Sequence, residues 1–218
     1  MEKDKLAAIA IVALSFALSA YFYPQVPDLI ATHWNAQGAV DAYTPKVPGL
    51  LILPVLILLL AVLFDAVPRL DPLRENIEKF RSHYNWFIIL ILLFMLLLHA
   101  QVILWNIGIQ VSPNATLPIG LGILFFYIGV LLGSAKRNWF IGIRTPWTMS
   151  SDVVWEKTHR VGSLLFKIAG AICLAGVFFE KLAIYFVIIP VLSVAAFTFA
   201  YSYLEYRKEM KKKPPHRQ

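Results

Sequence analysis

Six long apolar runs separated by short polar segments dominate the pattern along this 218-residue chain. The first runs from Leu6 to Tyr23, behind the charged start Glu2-Lys3-Asp4-Lys5. It exceeds the ~7–15 apolar residues of a cleaved signal and ends in Tyr21, Phe22 and Tyr23, so it is expected to stay as an anchor helix. The second run is Gly49 to Val67, with Pro54 expected near its start, where proline is tolerated. The third is Asn85 to Ile107, the fourth Leu117 to Ala135 and the fifth about Val161 to Phe179. A minimal turn, Glu180-Lys181, leads to the sixth, Leu182 to Leu204. Each approaches the ~20 residues needed to cross a bilayer at ~1.5 Å per residue.

The segments between the runs differ in kind. Pro24, Pro27, Pro45 and Pro48 hold the first loop out of continuous helix, and Asn35-Ala36-Gln37-Gly38 is a turn signal. The second segment, Pro68 to Tyr84, carries Glu75 and Lys79 four apart and is expected to form a short solvated helix stabilised by that pair. In the fourth, Thr145-Pro146 biases the chain away from helix, and Ser150 or Ser151 offers an N-cap with Asp152 in the first turn. From Asp152 the helical pattern continues into the fifth run. It places Trp155, His159 and Gly162 on one face and Asp152, Glu156 and Arg160 on another. The tail from Glu205 to Gln218 is expected to fray.

The expected fold is an all-α integral membrane bundle of six transmembrane helices. It divides into an N-terminal two-helix module (1–68), a basic linker with the third span (69–116), a module of spans four to six carrying the polar stretch 136–160 (117–204), and a basic tail (205–218). A hydrophobic fraction of 59% and a mean hydropathy of +0.67 agree with the bilayer and exclude an ordinary soluble domain. The net charge of +7 is not a nucleic-acid footprint, because the cations lie between the apolar runs. All but three of the 20 Lys and Arg fall at the N-terminus, in the second and fourth loops or in the tail. Lys46 and Lys181 lie on the other side, and Lys167 lies within a span. That bias places both termini in the cytoplasm of a multi-pass cell-membrane protein, with the Pro24–Pro48 loop outward. Cys173 is the single cysteine and leaves the redox compartment open.

Candidate chemistry concentrates between Lys136 and Gly162. Trp and Arg there would serve as interfacial anchors, but anchoring does not require Asn138, Gly142, Arg144, Thr145, Trp155, His159 and Arg160 within one compact loop. These seven are the candidates for a cytoplasmic surface that meets a partner. In the outward loop the candidates are His33, Asn35 and Asp41. His33 with Asp41 gives two possible metal ligands where zinc takes three or four protein ligands, so a hydrogen-bonded histidine is the expected state and no cofactor is assigned. Within the spans His99 is the foremost polar candidate, expected either to mark a pathway or to make one interhelical hydrogen bond. Asp65 is expected to pair with Arg69 or with Lys167, whose stem could also snorkel to the interface. No zinc-protease, nucleophile-elbow or phosphate-loop motif is present, so the chain is not expected to be an enzyme.

The ordered residues Asn138-Trp139-Phe140-Ile141-Gly142-Ile143-Arg144-Thr145-Pro146-Trp147-Thr148, followed by Ser151, Trp155, His159-Arg160 and Gly162, resemble the SdpI family of bacterial and archaeal membrane proteins. Pro27, Thr32-His33-Trp34-Asn35, Gly38, Asp41, Tyr43 and Lys46 resemble a domain of unknown function that often precedes it. The resemblance implies immunity to a secreted peptide toxin, met by the outward loop and spans. It also implies signalling through a repressor or other regulator held at the cytoplasmic loop. Two alternatives are a small-molecule or lipid transporter using His99, Lys167 and the Arg-rich loop, and a metal-dependent membrane enzyme using His33.

Overall fold

The computed structural model describes residues 2–212. In chain order it contains α1 (Glu2–Phe22), a hairpin of β1 (Leu29–Trp34) and β2 (Val40–Pro45), then α2 (Lys46–Leu70), α3 (Arg74–Glu78) and α4 (Arg81–Asn106). There follow α5 (Pro113–Ser134), α6 (Pro146–Ser150), α7 (Asp152–Ala175), two 3₁₀ turns (Gly176–Phe178 and Glu180–Leu182) and α8 (Ala183–Lys212). Six of the helices, α1, α2, α4, α5, α7 and α8, are long and apolar enough to span a membrane, and the six-span bundle expected from the apolar runs is what the chain forms. Connectivity puts the hairpin at one end of the bundle and residues 135–151 at the other.

The spans pack as two three-helix groups. In the first, α1, α2 and α4 meet around Ile11, Ile57 and Leu92. Buried polar groups also hold them, since water cannot satisfy a hydroxyl there. Ser19 Oγ donates to the Leu50 carbonyl at 2.8 Å, so its oxygen accepts from His99 Nε2 at 3.0 Å, and that nitrogen also lies 3.2 Å from the Ser15 carbonyl. His99 is fully buried and joins α4 to α1, the interhelical hydrogen bond among the roles expected for it. The second group is α5, α7 and α8. There α5 and α7 approach to backbone distance, because a Cβ on Gly170 would lie 2.4 Å from the Phe126 amide nitrogen and one on Gly129 2.6 Å from the Ser163 carbonyl. Small residues permit this contact in the absence of a hydrophobic drive between helices in lipid.

Several sequence expectations are corrected. The first loop is not simply a proline-rich turn region but a two-stranded antiparallel hairpin, with the Asn35–Gly38 turn at its tip and register irregularities around His33. Asn106 of α4 ties it down: its Oδ1 accepts from the Ala31 amide at 2.8 Å, and its Nδ2 donates to the Ala31 carbonyl at 3.0 Å. Helix α2 begins directly after β2 at Lys46, so Pro54 sits well inside it. Lys79 turns to Asn76 at 2.9 Å, and Arg81 pairs with Glu78 at 3.1 Å, in place of the expected Glu75–Lys79 contact. Asp65 pairs with Arg69 and, at 3.4 Å, with Lys5 of α1. Lys167, which lies along Gly129 in the other group, makes no ion pair among the described residues. The tail does not fray at Glu205. Helix α8 runs on to Lys212, and its 30 residues span about 45 Å, longer than the ~30 Å hydrocarbon core. The overhang is held to the start of α7 by Lys157–Glu205 (2.7 Å) and by Ser151 Oγ donating to Glu209 at 2.5 Å. The remainder of the tail, residues 213–218, lies outside the described residues.

Candidate functional site

The segment joining α5 to α7 folds on a few buried polar side chains. Asn138 is fully buried and uses both ends of its amide. Its Nδ2 donates to the carbonyls of Lys136 and Ile141, each at 2.8 Å, and its Oδ1 accepts from the amides of Phe140 (2.9 Å) and Ile141 (2.6 Å). Four backbone groups that would otherwise be orphaned are thereby satisfied within one turn of chain. Asp71, 3% exposed at the end of α2, accepts from the Trp139 amide at 2.8 Å and from the Leu73 amide at 2.6 Å. Asn76 of α3 donates to the Arg137 carbonyl at 2.9 Å. The second loop thus clamps the fourth.

Trp155 and His159 form the floor. Their rings stack with centroids 3.9 Å apart, as the i, i+4 spacing predicts. Trp155 Nε1 donates to the Ala135 carbonyl at 2.9 Å. His159 Nδ1 lies 2.8 Å from the Trp155 carbonyl, and Nε2 faces the Ile143 amide at 3.0 Å. A carbonyl only accepts and an amide only donates, so this arrangement assigns the proton to Nδ1 and makes the ring neutral. Gly142 passes directly over it, at φ +120°, where an added Cβ would lie 2.4 Å from Nε2.

The rest of the loop is a pair of helix caps. Thr145 is extended, as a residue before proline must be, yet it is the N-cap of α6, with Pro146 in the first turn. It forms a capping box with Thr148 and donates to Ser202 Oγ on α8 at 3.0 Å. The proline therefore starts a helix where the sequence suggested only a break. Ser151 is the N-cap of α7, one of the two residues expected there, and accepts from the Val154 amide at 3.3 Å. Asp152 pairs with Arg137 at 2.8 Å and Glu156 with Lys136 at 3.4 Å, so the charges on that face reach across the loop rather than along the helix. Asn138, Thr145, Trp155 and His159 are buried. Arg144 and Arg160 are exposed, Arg144 with one donor on the Trp139 carbonyl and Arg160 with no ion pair among the described residues. Asp71 and Asn76, both missed in the sequence, were signalled only by their place in a short loop at the same end of the bundle.

At the hairpin end, His33 Nδ1 and Asp41 Oδ1 are 2.5 Å apart across the strands, and Asn35 Oδ1 caps the turn by accepting from the amides of Gln37 and Ala39 at 3.0 Å. Among the described residues no three His, Cys, Asp or Glu side chains gather as a metal site. The His33 and Asp41 side chains are 68% and 42% exposed. Asp41→Asn is therefore expected to change stability by less than about 1 kcal/mol, as exposed pairs do. Thermal unfolding in detergent checks this, and a larger loss would mean that the hairpin depends on the pair.

Between the two helix groups lie apolar clefts at either end. The one at the hairpin end, about 530 Å³, is walled by the hairpin (Trp34, Asn35), α4 (Gln101), α5 (Asn114, Leu121) and α8 (Val187). Trp34 packs edge-on against Trp105, with ring centroids 5.3 Å apart, and its buried Nε1 has no acceptor among the described residues. The one at the opposite end, about 410 Å³, lies under Phe140–Ile143. Exposure and cavity coincide at both ends, since the exposed Lys136, Glu156 and Arg160 line a further cavity of about 230 Å³, while the buried signature residues hold their own loop.

Residues 134–202, which run from the last residue of α5 through this loop and α7 into α8, match the SdpI/YfhL protein family, and residues 10–58, which contain the hairpin, match a domain of unknown function, DUF1648. The immunity protein SdpI of Bacillus subtilis strain 168 is 28% identical over 208 residues, covering 94% of this chain and 97% of that protein. No solved structure matches the chain. The SdpI/YfhL match ends at Ser202, the α8 residue that accepts from Thr145.

Proposed function

We propose that this membrane protein confers immunity to a secreted peptide toxin, which it meets in the outer cleft at the hairpin end, and that its role is not enzymatic. The observation that carries the reading is the end-to-end similarity to an immunity protein, 94% of one chain against 97% of the other. The cleft supports it in chemistry. It is apolar and bordered by the exposed hairpin. A peptide that partitions into a bilayer needs such a place for its apolar side chains. The Lys and Arg distribution supports an orientation with the hairpin outside and residues 135–151 in the cytoplasm. There Arg144 and Arg160, the exposed cations of the SdpI loop, are the residues through which a regulator would be held.

The test is survival. Cells sensitive to a secreted membrane-active peptide are challenged with and without the protein at a known membrane level. Protection without altered solute flux is the expected result. Absence of protection across a panel of such peptides would overturn the immunity reading.

A further inference from the structure

A third groove lies outside both clefts, on the face where α1, α2 and α4 meet, and encloses about 560 Å³. Small side chains make the room: Ala8 and Ala13 on α1 face Ala61 and Ala66 on α2, with Ile88 of α4 behind. Along α2 the groove runs from Leu58 to Arg69. At ~1.5 Å per residue that is about 16 Å, half of a ~30 Å hydrocarbon core, the depth of one leaflet. Its walls are apolar over this depth, and its polar groups collect at one end.

That end carries both signs of charge. The cations Lys5, Arg69 and Arg81 and the carboxylates Asp4 and Asp65 all line it. Asp65 is shared between Lys5 at 3.4 Å and Arg69, while Asn85 bridges Asp4 at 2.8 Å and Arg81 at 3.1 Å. The Lys5 and Arg69 side chains are 53% and 67% exposed and Asp65 is 41% exposed, so these pairs are open to an incoming headgroup. Arginine presents a fork that matches phosphate, and a carboxylate accepts from an ammonium group. A purely anionic headgroup would satisfy the cations but face two carboxylates.

We propose that this groove is a binding site for one phospholipid with an amine-bearing headgroup, the phosphate on Arg69 and Lys5, the ammonium toward Asp65, and an acyl chain along Ala8, Val12 and Ala61. The site stands apart from the outer cleft and does not depend on the immunity reading. A membrane helix or a free amphiphile would fill the apolar part without using the mixed charge of the mouth.

Full-length protein is reconstituted in discs of equal phosphatidylethanolamine and phosphatidylglycerol, released, and its retained lipid counted by native mass spectrometry. One phosphatidylethanolamine per chain, retained about tenfold over phosphatidylglycerol, is expected. Asp65→Asn should shift retention toward phosphatidylglycerol, and Ala61→Trp, which fills the groove, should abolish it. If Ala61→Trp fails to fold, the Asp65→Asn switch in selectivity still decides, because a purely structural aspartate would not alter which lipid is held. Equal retention of both lipids by the wild type, no retained lipid, or an unchanged preference in Asp65→Asn would overturn the proposal.

Discussion

Gly142→Ala should be among the most damaging single substitutions in the chain, with a loss of about 4 kcal/mol. Two effects act together. The backbone at Gly142 is at φ +120°, a conformation that costs an L residue ~1–3 kcal/mol. The new methyl would also lie 2.4 Å from His159 Nε2 and 3.2 Å from the Trp155 ring. Neither neighbour can yield, because Trp155 is fixed to the Ala135 carbonyl and His159 to the Trp155 carbonyl. The methyl must therefore break the Ile143–His159 hydrogen bond, and an orphaned buried donor costs a further ~1–3 kcal/mol. Gly108→Ala is the control. Gly108 also has positive φ, +93°, but nothing lies within 4 Å of its added Cβ, so only the backbone penalty applies. Unfolding of both variants in the same detergent should show Gly142→Ala clearly the worse. Equal losses would mean that the contact with His159 is unimportant.

Asn138→Asp should cost a similar amount although it changes a single atom type. The acceptor end survives, so the amides of Phe140 and Ile141 stay satisfied. The donor end does not. A carboxylate oxygen would replace the NH₂ that now serves two carbonyls at 2.8 Å, setting acceptor against acceptor in a site with no exposure. Unpaired buried polar groups cost ~1–3 kcal/mol each, so about 3–4 kcal/mol is expected for the two carbonyls, with a charged replacement worse than a neutral one. The readout is the unfolding midpoint together with proteolysis of residues 135–151. Wild-type resistance in Asn138→Asp would show that the amide does not organise the loop.

These two residues show what the sequence makes legible. The stretch from Lys136 to Gly162 stands out by composition, and the stacking of Trp155 on His159 follows from their spacing. Burial does not follow from spacing. Asn138, Thr145, Trp155 and His159 look like contact residues in the sequence because they are polar or aromatic in a basic loop, yet each is spent on that loop's own backbone. Asp71 clamps Trp139 from 68 positions away, and no local pattern signals a contact of that range. The six spans were visible because a bilayer demands uninterrupted apolar runs. Their ends were less so: α2 reaches back to Lys46 and α5 to Pro113, where Pro113 occupies the first turn. The hairpin was hidden because prolines flank it and the irregular pairing around His33 breaks the alternation that marks a strand. Its turn, Asn35 to Gly38, was legible without the strands it joins.

On the proposed function, the cleft at the hairpin end meets a peptide, and the loop at the other end is mostly self-supporting. The most direct measurement is survival under peptide challenge at matched membrane levels for wild type, Leu121→Trp, which fills the cleft at the hairpin end, and Arg144→Ala, which removes an exposed cation of the loop and its hydrogen bond to the Trp139 carbonyl. The account predicts protection by the wild type and by Arg144→Ala, and its loss in Leu121→Trp. Protection retained with the cleft filled, or lost with Arg144 removed, would contradict it.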